Sequence, residues 1–507
     1  MKINEVLKHM NATQVELPGC MSEFEVLNIC HNSRLADSGS IFVCKKGALA
    51  DGHTYAINAY EQGTRCFIAE RDLNLPSDAA VITVKDANTE LCKLAEAFYD
   101  HPANKLKIVG ITGTKGKTTV ALSIYGILTS AGINAGYIGT NGAYYGGNVH
   151  ATSNTTPDCL ELQRIFSEMV KFGVSIAVIE VSSQALWQNR IFGIEFDTCI
   201  FTNLYEDHIG GYEHPNFEHY RNCKKLLFTQ YKVKNVIVNF DCPDWRYMIN
   251  GSDFKSLTTT SAKGNVNADY FATDKLKLIN GKIPGVSFAL NYACDGSDTA
   301  LKTVDAFIPI PGEYSIENGL LTVAACIKLG IKDNEVIKHL SRISISGRFE
   351  SVLLNSRPNS LFVIDYAHNG ASLRAVLQSM REYSPKRIIC LFGSVGGRTY
   401  GRRQELAEAA MDLADIIIVT SDNPGTEDPQ HVVDDIGRHL IDCKAEVHLI
   451  SDRANAIRKA YELADDGDFV LLAGKGHETY QLIGNEKIPF SERKILLELD
   501  NCNAFIQ

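Results

Sequence analysis

The chain has 507 residues, which corresponds to three or four domains at about 150 residues each, every one long enough to bury its own core. A hydrophobic fraction of 45% and a charged fraction of 22% are ordinary for a globular protein and exclude a disordered chain, a collagen-like chain and a coiled coil. With 50 Lys and Arg against 60 Asp and Glu, the formal net charge is -10, so any anion must be bound by a local site rather than by a global positive field.

The cysteines and the apolar runs indicate a cytoplasmic protein. Fourteen cysteines are too dilute for a disulfide scaffold, and no C-x-x-C pair occurs, which favours buried reduced thiols. The N-terminal MKINEVLKHM lacks the apolar core of a signal peptide, and no stretch approaches the roughly 18 apolar residues of a membrane span. We therefore expect neither membrane insertion nor a nucleic-acid partner.

The first hundred residues alternate short apolar runs with helical patterns. Strands are predicted at Ile41–Cys44, Thr64–Ala69 and Ala80–Val84. The polar segment Asp100–Lys105 contains a proline and is typical of a linker. The pattern predicts a small α/β domain over residues 1–104.

A second series of elements begins after this linker. The chain predicts a strand at Lys107–Ile111, a helix at Thr118–Ser130, and further strands at Ala177–Val181 and Thr198–Thr202. Strands that alternate with helices indicate a parallel sheet with both faces covered. We assign this central domain to residues 105–346.

Residues 250–300 are polar and irregular, and we expect them to form excursions on the central domain. A second break is predicted near Ile345–Glu350, after which strands and helices alternate again. The predicted strands are Leu361–Ile364, Arg387–Phe392, Ile416–Thr420, Val447–Ile450 and Phe469–Ala473. The predicted helices are Ala371–Arg381, Arg402–Leu413, Val432–Leu440 and Arg453–Leu463. The pattern predicts a Rossmann-like α/β domain over residues 347–507.

The sharpest local pattern is a glycine-rich turn between a predicted strand and a predicted helix. It does not fit G-x-x-x-x-G-K-[ST], because Ile111 stands five positions before Gly116, but G-x-x-G-K-T remains from Gly113 to Thr118. Backbone N–H groups of such a turn cradle phosphate oxygens, assisted by the helix N-terminus. Lys117 would reach the terminal phosphates and the Thr118 hydroxyl would ligate Mg²⁺. The alternative is a chance Gly/Lys turn.

Two further residues, Glu180 and His208, could hold a metal ion. Glu180 ends an apolar strand, where an α/β fold places metal ligands, although it could instead cap the following helix. His208 follows another predicted strand and is either a ligand or a surface histidine. Lys224 by itself is typical of a solvated helix lysine.

Together and in this order, the motifs of the chain resemble those of the Mur ligase family over essentially its whole length. The matching motifs are N-S-R (Asn32–Arg34, usually D-S-R), D-G-H (Asp51–His53), G-T-K-G-K-T-T, N-T-T-P (Asn154–Pro157), E-V-S-S, T-N…D-H, the lysine helix, G-R-F-E (Gly347–Glu350), D-Y-A-H (Asp365–His368), S-D-N-P (Ser421–Pro424), D-R (Asp452–Arg453) and G-K-G-H-E (Gly474–Glu478). The resemblance implies a small uridine-nucleotide domain, a central P-loop-type ATPase domain and a C-terminal amino-acid domain. Within the family it points to members that form the muramoyl tripeptide.

In such ligases ATP phosphorylates a free carboxylate, and the incoming amine attacks the acyl phosphate to give an amide, ADP and phosphate. The resemblance implies that Thr118 and Glu180 hold one Mg²⁺, and that Glu180, His208 and a carbamylated Lys224 hold a second. Carbamylation is required because an ammonium group cannot ligate Mg²⁺, whereas a carbamate offers oxygens. With Lys117, these residues would form the catalytic set.

The substrate-binding residues follow from the same resemblance. ATP would be held by Gly113, Thr114, Lys115, Gly116, Lys117, Thr118, Thr119, Asn318 and Arg348. The UDP-muramoyl peptide would be held by Ser33, Asn154, Thr155, Thr156, Ser182, Gln188 and Arg190. The amino acid would be held by Arg398, Asp422, Asn423, Gly425, Gly474 and Glu478. Asp365 and His368 would line the cleft or, alternatively, support its loop. These partners are all small molecules, and a monomer is expected.

The third amino acid is predicted from the turn after Asp422. Members that add meso-diaminopimelate carry an arginine after D-N-P, which pairs with the distal carboxylate, but this chain has Gly425. Loss of that partner favours L-lysine or a similar diamino acid. The alternative is diaminopimelate, with Arg402 or Arg403 supplying the missing charge.

Two departures from the family pattern and two competing functions accompany this prediction. Lys115 stands where asparagine is usual, and Gln184 stands where many members have histidine, which excludes an acid–base role there. A folylpolyglutamate or cyanophycin synthetase is disfavoured by the N-S-R and D-G-H motifs. A catalytically silent Mur-like binding protein is disfavoured because the chain keeps all five phosphate and metal residues, Lys117, Thr118, Glu180, His208 and Lys224.

Overall fold

A computed structural model describes residues 1–21, 23–47, 50–207, 209–210, 213–293, 301–397 and 400–504. The chain forms two compact units. The first comprises Met1–Thr260 and Ala324–Leu329, and the second comprises Ser261–Val323 and Gly330–Gln507.

The N-terminal part of the first unit is a five-stranded sheet in the order β1-β5-β4-β3-β2. Its strands are β1 (Ala12–Glu16), β2 (Asn28–Cys30), β3 (Ser40–Val43), β4 (Cys66–Ala69) and β5 (Ala80–Val84). Its helices are α1 (Ile3–Lys8), α2 (Ala56–Glu61) and α3 (Ala87–Phe98). All pairs are parallel except β1 with β5. The three predicted strands are confirmed as β3 to β5, whereas β1, whose side chains are mostly exposed, gave no apolar signal.

The central part of this unit is a mainly parallel sheet, ordered β13-β12-β11-β6-β10-β7-β8-β9. Its strands are β6 (Lys107–Thr112), β7 (Ala135–Gly139), β8 (Gly142–Tyr145), β9 (Asn148–His150), β10 (Ile176–Glu180), β11 (Phe196–Phe201), β12 (Val233–Asn239) and β13 (Ser256–Ser261). Its helices are α4 (Lys117–Ser130), α5 (Cys159–Lys171), α6 (Ser183–Trp187), α7 (Phe217–Thr229) and α8 (Trp245–Ile249). The strand pairs are parallel except β7 with β8 and β8 with β9, which are antiparallel.

The register of this sheet brings the predicted site residues to one edge. Strand β6 lies between β10 and β11, with Ile111 opposite Glu180 and Thr112 opposite Phe201. Parallel neighbours present their carboxyl ends together, so the loops after all three strands meet there.

The predicted linker is a short ordered turn rather than a loose connection. Pro102–Lys105 forms a 3-10 turn in which Pro102 and Ala103 are buried. His101, which precedes it, has a φ of 48°. Ala103 packs into the core of the central sheet.

In the second unit, the prediction for residues 250–300 is wrong in part, because regular strands run through them. Strands β14 (Tyr270–Asn280), β15 (Ile283–Ala293) and β16 (Leu301–Ile308) form an antiparallel meander. Much of β14 is exposed, so its sequence is polar and lacks a clear apolar alternation. Gly281, whose φ is 65°, and Lys282 form the two-residue turn between β14 and β15.

The C-terminal sheet of the second unit has six strands in the order β17-β18-β22-β19-β20-β21. They are β17 (Glu350–Val352), β18 (Leu361–Asp365), β19 (Ile388–Ser394), β20 (Ile416–Ser421), β21 (Glu446–Leu449) and β22 (Phe469–Ala473), followed by the hairpin β23 (Tyr480–Ile483) and β24 (Glu486–Pro489). The helices are α9 (Glu313–Lys328), α10 (Asp333–Leu340), α11 (Gly370–Arg381), α12 (Gly401–Leu413), α13 (Pro429–Arg438), α14 (Arg453–Leu463) and α15 (Glu492–Ala504). The five predicted strands and four predicted helices are confirmed, with ends that shift by a few residues.

The cysteines that the structure describes are mostly buried, as predicted, although Cys443 is half-buried and Cys502 exposed. In the described part of the chain, no helix combines the length and the apolar character needed to cross a membrane.

Candidate active site

The phosphate loop connects β6 to α4 through a backbone that requires glycine at two positions. Gly113 has a φ of 148°, and a Cβ atom there would lie 2.0 Å from Thr202 Oγ1. Gly116 has a φ of 84° immediately before the helix begins at Lys117. Both are left-handed conformations that side chains rarely adopt, so the two glycines of the sequence motif serve the loop's path.

Residues after β11 hold this loop from the side. The backbone oxygen of Asn203 accepts a 2.9 Å hydrogen bond from Thr114 N, and its side-chain Oδ1 accepts one of 2.9 Å from Lys115 N. Thr202 Oγ1 donates to Lys115 O at 2.6 Å, and the Tyr220 hydroxyl donates to Thr114 Oγ1 at 3.0 Å. Asn203 and Tyr220 were not among the predicted site residues. Asn203 belongs to the T-N motif after the strand, which could have indicated its role.

Glu180 is fully buried and lies at the centre of a set of donors. Its carboxylate accepts hydrogen bonds from Thr118 Oγ1 at 2.9 Å, from the Tyr137 hydroxyl at 2.5 Å and from Thr140 N at 3.0 Å. Burial and the neighbouring carboxylate raise the pKa of Tyr137 well above its usual value, so the phenol remains a donor. The alternative that Glu180 caps α6 is wrong, because Ser182 Oγ caps that helix.

Two lysines meet at the base of the loop. The Nζ atoms of Lys117 and Lys224 lie 2.9 Å and 2.8 Å from the same carbonyl oxygen, that of Gly113. Lys224 is 1% exposed, so the alternative of a solvated helix lysine is wrong. Burial, followed by the charge of Lys117, lowers the pKa of Lys224 well below its ordinary value and favours the neutral amine.

Four of the predicted muramoyl-peptide residues, Thr156, Ser182, Gln188 and Arg190, form one connected hydrogen-bond network. Thr156 Oγ1 donates to the backbone oxygen of Glu180 at 2.8 Å and accepts from Ser182 N at 3.0 Å. Arg190 donates to Thr156 O at 2.9 Å and, at 3.0 and 2.8 Å, to the side chain of Gln188. Desolvation lowers the pKa of Arg190, which stays charged because an arginine begins far above neutrality.

Thr155 and Asn154 continue this segment toward solvent. Thr155 Oγ1 lies 3.2 Å from Thr140 Oγ1, and Asn154 is exposed. Two positions beyond Thr156, Asp158 forms a 2.8 Å contact with His31 Nε2. His31 stands two residues before Ser33, so the predicted uridine-domain residue lies close in sequence to a direct contact with the central domain.

The predicted nucleotide residues Asn318 and Arg348 belong to the second unit. Asn318 is buried on α9, and the Arg348 guanidinium lies 5.0 Å from the centre of the Tyr366 ring. Asp365 accepts hydrogen bonds from Phe349 N at 2.7 Å and Ala367 N at 2.8 Å. Because Phe349 has a φ of 45°, these bonds favour the structural interpretation of Asp365.

The predicted amino-acid residues of the second unit gather around a lysine that had no predicted role. Lys475 is fully buried, and its Nζ donates to Asn423 Oδ1 at 2.8 Å and to Glu478 Oε2 at 2.6 Å. It lies 3.8 Å from Asp422 Oδ1, and burial raises the pKa of Asp422. Gly474 has a φ of 110°, and a Cβ there would lie 2.7 Å from Asp422 Oδ2. The G-K-G-H-E motif contained this lysine and was the missed signal.

The turn that was predicted to set amino-acid specificity is open at Gly425. Its φ is 58°, its N–H donates to Leu482 O at 3.0 Å, and a Cβ there would meet nothing within 4 Å. The position therefore has room for a side chain, which this chain does not provide.

Of the two arginines that could replace the missing charge, Arg403 is already paired. It is 1% exposed and lies 2.7 Å from Glu427 and 2.9 Å from Asp435. Arg402 is half-buried and forms no hydrogen bond or ion pair among the residues that the structure covers. Its charge acts on His368, whose pKa is lowered first by burial. His208 and Arg398, two predicted site residues, lie outside the described residues.

Three family models match the chain in succession. Residues 25–103 match the Mur ligase family catalytic domain, residues 111–326 the Mur ligase middle domain, and residues 347–476 the Mur ligase glutamate ligase domain. These matches follow the order of the three predicted domains.

Whole-length relatives agree with these matches. The chain is 35% identical over 478 residues to the UDP-N-acetylmuramoyl-L-alanyl-D-glutamate--2,6-diaminopimelate ligase of Clostridium perfringens, covering 94% of this chain and 95% of the relative. It is 34% identical over 503 residues to the ligase of the same name from Clostridium botulinum, covering 98% and 99%. A solved structure with that name has a TM-score of 0.68 at 26% identity and covers 99% of each chain. The chain belongs to the Mur ligase family.

Proposed function

We propose that the chain is an ATP-dependent ligase that joins an amino acid to the free carboxylate of UDP-N-acetylmuramoyl-L-Ala-D-Glu in peptidoglycan precursor synthesis. The observation that carries this proposal is the phosphate loop with Thr118 Oγ1 held 2.9 Å from the buried Glu180 carboxylate. The names of the relatives supply the substrate class. The free carboxylate of the muramoyl dipeptide attacks the terminal phosphate of ATP, and ADP leaves. The amine of the incoming amino acid then displaces phosphate from the acyl phosphate and forms the amide.

The chain's own residues fit Mg²⁺ at this site. Thr118 and Glu180 offer a hydroxyl and a carboxylate oxygen, both hard donors of the kind that Mg²⁺ prefers. When bound, the cation neutralises phosphate charge during transfer. The loop amides and Lys117 would bind and orient the triphosphate. Glu180, held by hydrogen bonds from Thr118, Tyr137 and Thr140, would keep the metal-binding oxygens in place.

We further propose that Lys224 is carbamylated and, with Glu180 and His208, holds a second Mg²⁺. A buried, neutral amine is the form that reacts with CO₂, giving a carbamate and releasing one proton. A sample equilibrated with ¹³C-bicarbonate should show a carbamate carbon resonance that Lys224→Arg abolishes. Lys225→Arg, on the neighbouring residue of α7, is the matched control, and a resonance that survives in Lys224→Arg would overturn this assignment.

Each substrate is assigned to one domain: the uridine nucleotide to residues 1–104, ATP to 105–346 and the amino acid to 347–507. The matched models at 25–103, 111–326 and 347–476 support these bounds. Thr155, Thr156, Ser182, Gln188 and Arg190 would hold the muramoyl peptide beside Glu180, because the hydrogen-bond network connects most of them to its backbone. Since one chain supplies the residues for all three substrates, we infer that a monomer suffices for the reaction. We propose that it acts in the cytoplasm.

For the third amino acid, the relatives favour 2,6-diaminopimelate over the L-lysine that Gly425 suggested, because their names specify the former. We propose that Arg402 binds its distal carboxylate in place of the family's arginine. Arg403 is excluded from that role by its pairing with Glu427 and Asp435. Asn423 and Glu478, arranged by Lys475, would contact the amino-acid backbone.

A ligation assay with UDP-N-acetylmuramoyl-L-Ala-D-Glu, ATP and either amino acid tests both parts of the proposal. We expect ADP release that requires both acceptor and amino acid, with diaminopimelate strongly preferred. Lys117→Met should remove turnover, whereas the exposed Lys171→Met should not. Turnover with lysine but not with diaminopimelate would overturn the amino-acid assignment. ATP hydrolysis whose rate is independent of the acceptor and the amino acid would favour a silent binding protein.

A further inference from the structure

Three side chains near the start of α7 form a cluster that no step of the proposed reaction uses. His214 Nδ1 lies 2.8 Å from His219 Nδ1, and Cys223 Sγ lies 3.7 Å from that same His219 nitrogen. One ligand atom from each residue lies within 4.8 Å of the other two. Within the described residues, this is the one group of three or more His, Cys, Asp and Glu side chains with such spacing.

The chemistry of the cluster is that of a transition-metal site rather than of a Mg²⁺ site. Two imidazoles and a thiol are the ligands that Zn²⁺ and neighbouring borderline cations prefer, whereas Mg²⁺ requires oxygens. His219 and Cys223 stand four residues apart on α7 and therefore project from the same face of the helix. His214, from the preceding loop, completes the set.

The surroundings of the cluster favour binding. His214 and Cys223 are buried, while His219 is half-buried and gives an ion access from solvent. His214 Nε2 lies 2.9 Å from Ser183 Oγ, which fixes the ring and directs Nδ1 toward the other two ligands. The thiol would lose its proton to solvent on coordination, and His219 would carry its proton on Nε2.

We propose that His214, His219 and Cys223 bind one Zn²⁺-class cation, which joins the loop before α7 to the helix. This site lies beyond the proposed function, because none of its ligands belongs to the Mg²⁺ or substrate residues. A water molecule or solvent thiol would take the fourth position of a tetrahedral set.

Co²⁺ is the probe, added to the full-length reduced chain in excess Mg²⁺ so that oxygen sites are already filled. We expect one Co²⁺ per chain, with tetrahedral d–d absorption and a near-ultraviolet thiolate-to-metal charge-transfer band. Zn²⁺ should displace Co²⁺ and thereby remove both the d–d absorption and the charge-transfer band. Trp187, whose ring centre lies 5.0 Å from that of His219, should be quenched by Co²⁺, and Trp187→Phe should remove this signal while the absorption stays.

Variants assign the bands to the cluster. Cys223→Ala should abolish the charge-transfer band, whereas Cys199→Ala, which deletes another buried thiol of the same unit, should retain it. His219→Gln and Ser183→Ala should each weaken Co²⁺ binding by about tenfold or more. His219 is only half-buried, so its variant keeps the test available if Cys223→Ala fails to fold. No band in the parent chain, or a band that survives in Cys223→Ala or His219→Gln at unchanged affinity, overturns the proposal.

Discussion

At the scale of single residues, the candidate site depends on buried charges whose partners come from distant parts of the chain. Glu180 is 0% exposed and is held by Thr118, Tyr137 and Thr140, which lie 40 to 62 positions away in sequence. A buried polar group without partners would be costly, and these donors satisfy the oxygens of Glu180 at that depth. The roles of such residues are therefore tested by changes that keep size and remove charge.

Glu180→Gln should lower kcat by on the order of 10²–10³, the range found when one preorganised electrostatic group is removed. The glutamine amide keeps the side-chain volume, but it directs an NH₂ group toward groups that donate hydrogen bonds to Glu180. It also removes the charge that would bind the metal ion. Steady-state ADP release measures this effect. Tyr137→Phe is the control, since it loses one donor to an intact carboxylate and should cost far less. Equal losses in the two variants would contradict a metal-binding role.

Arg402→Ala should raise KM for diaminopimelate roughly 10- to 100-fold, because a hydrogen bond to a charged group contributes about 1.5–3 kcal/mol. KM for lysine as a competing substrate should not change, since lysine lacks the distal carboxylate. The exposed Arg458, on α14, provides the matched control as Arg458→Ala. If the KM values for diaminopimelate and lysine rise by the same factor, Arg402 does not bind the distal carboxylate.

At the scale of elements, α5 shows how one side chain can start a helix and join two domains. Asp158 caps α5 by accepting from Glu161 N at 3.1 Å and also contacts His31 at 2.8 Å and Lys45 at 3.7 Å. Burial opposes its ionisation, yet the hydrogen bond and charge of His31, followed by Lys45, hold the pKa of Asp158 well below its ordinary value of 3.8. Substitutions can therefore separate the charge of Asp158 from its role as the N-terminal cap of α5.

Asp158→Asn should retain the cap and lose the charge, whereas Asp158→Ala loses both, so we expect the alanine variant to be less stable by about a further 1 kcal/mol. Thermal unfolding of both variants at neutral pH measures the difference. Equal stabilities would mean that the cap contributes nothing.

The same pair of variants carries a pH prediction. Because the folded pKa lies below the unfolded value of 3.8, the contribution of Asp158 is fully present above that pH and is lost as the pH falls below it. The stability difference between the parent and Asp158→Asn should therefore shrink on acidification. A difference that grows at low pH would reverse the assigned direction.

At the scale of the whole molecule, a chain of net charge -10 must bring together two strongly anionic nucleotides. Local cations, from Lys117 and Arg190 to divalent metal, must therefore outweigh the overall field. The parallel sheet assists, because the ends of β6, β10 and β11 meet at one edge and concentrate these groups there.

EDTA should accordingly abolish ADP release, and excess Mg²⁺ should restore it fully, since phosphoryl transfer depends on charge neutralisation. Circular dichroism with and without EDTA is the control for folding, which should be unchanged. Turnover that persists in EDTA would argue against Thr118 and Glu180 as a metal pair.

Much of the fold was predictable wherever a strand is buried on both faces. The runs that became β6, β10, β19, β20 and β22 are nearly continuous in apolar residues because helices cover the parallel sheets. The hairpin of β14 and β15 was missed because exposed polar side chains on β14 hide its alternation. Periodicity reports burial, so a half-solvated strand gives a weak signal.

The sequence by itself determined the family motifs and the glycines of the phosphate loop, and it predicted Thr118 and Glu180 as metal ligands, because backbone strain and ligand chemistry restrict residue type locally. Lys224 was predicted only through the family resemblance. Only the tertiary structure decided that Lys224 is buried beside Gly113 O, that Lys475 organises Asn423 and Glu478, and that Arg403 is unavailable to a substrate. It likewise assembled His214, His219 and Cys223 around one point. These outcomes depend on which distant groups share a low-dielectric interior, and spacing along the chain does not specify that.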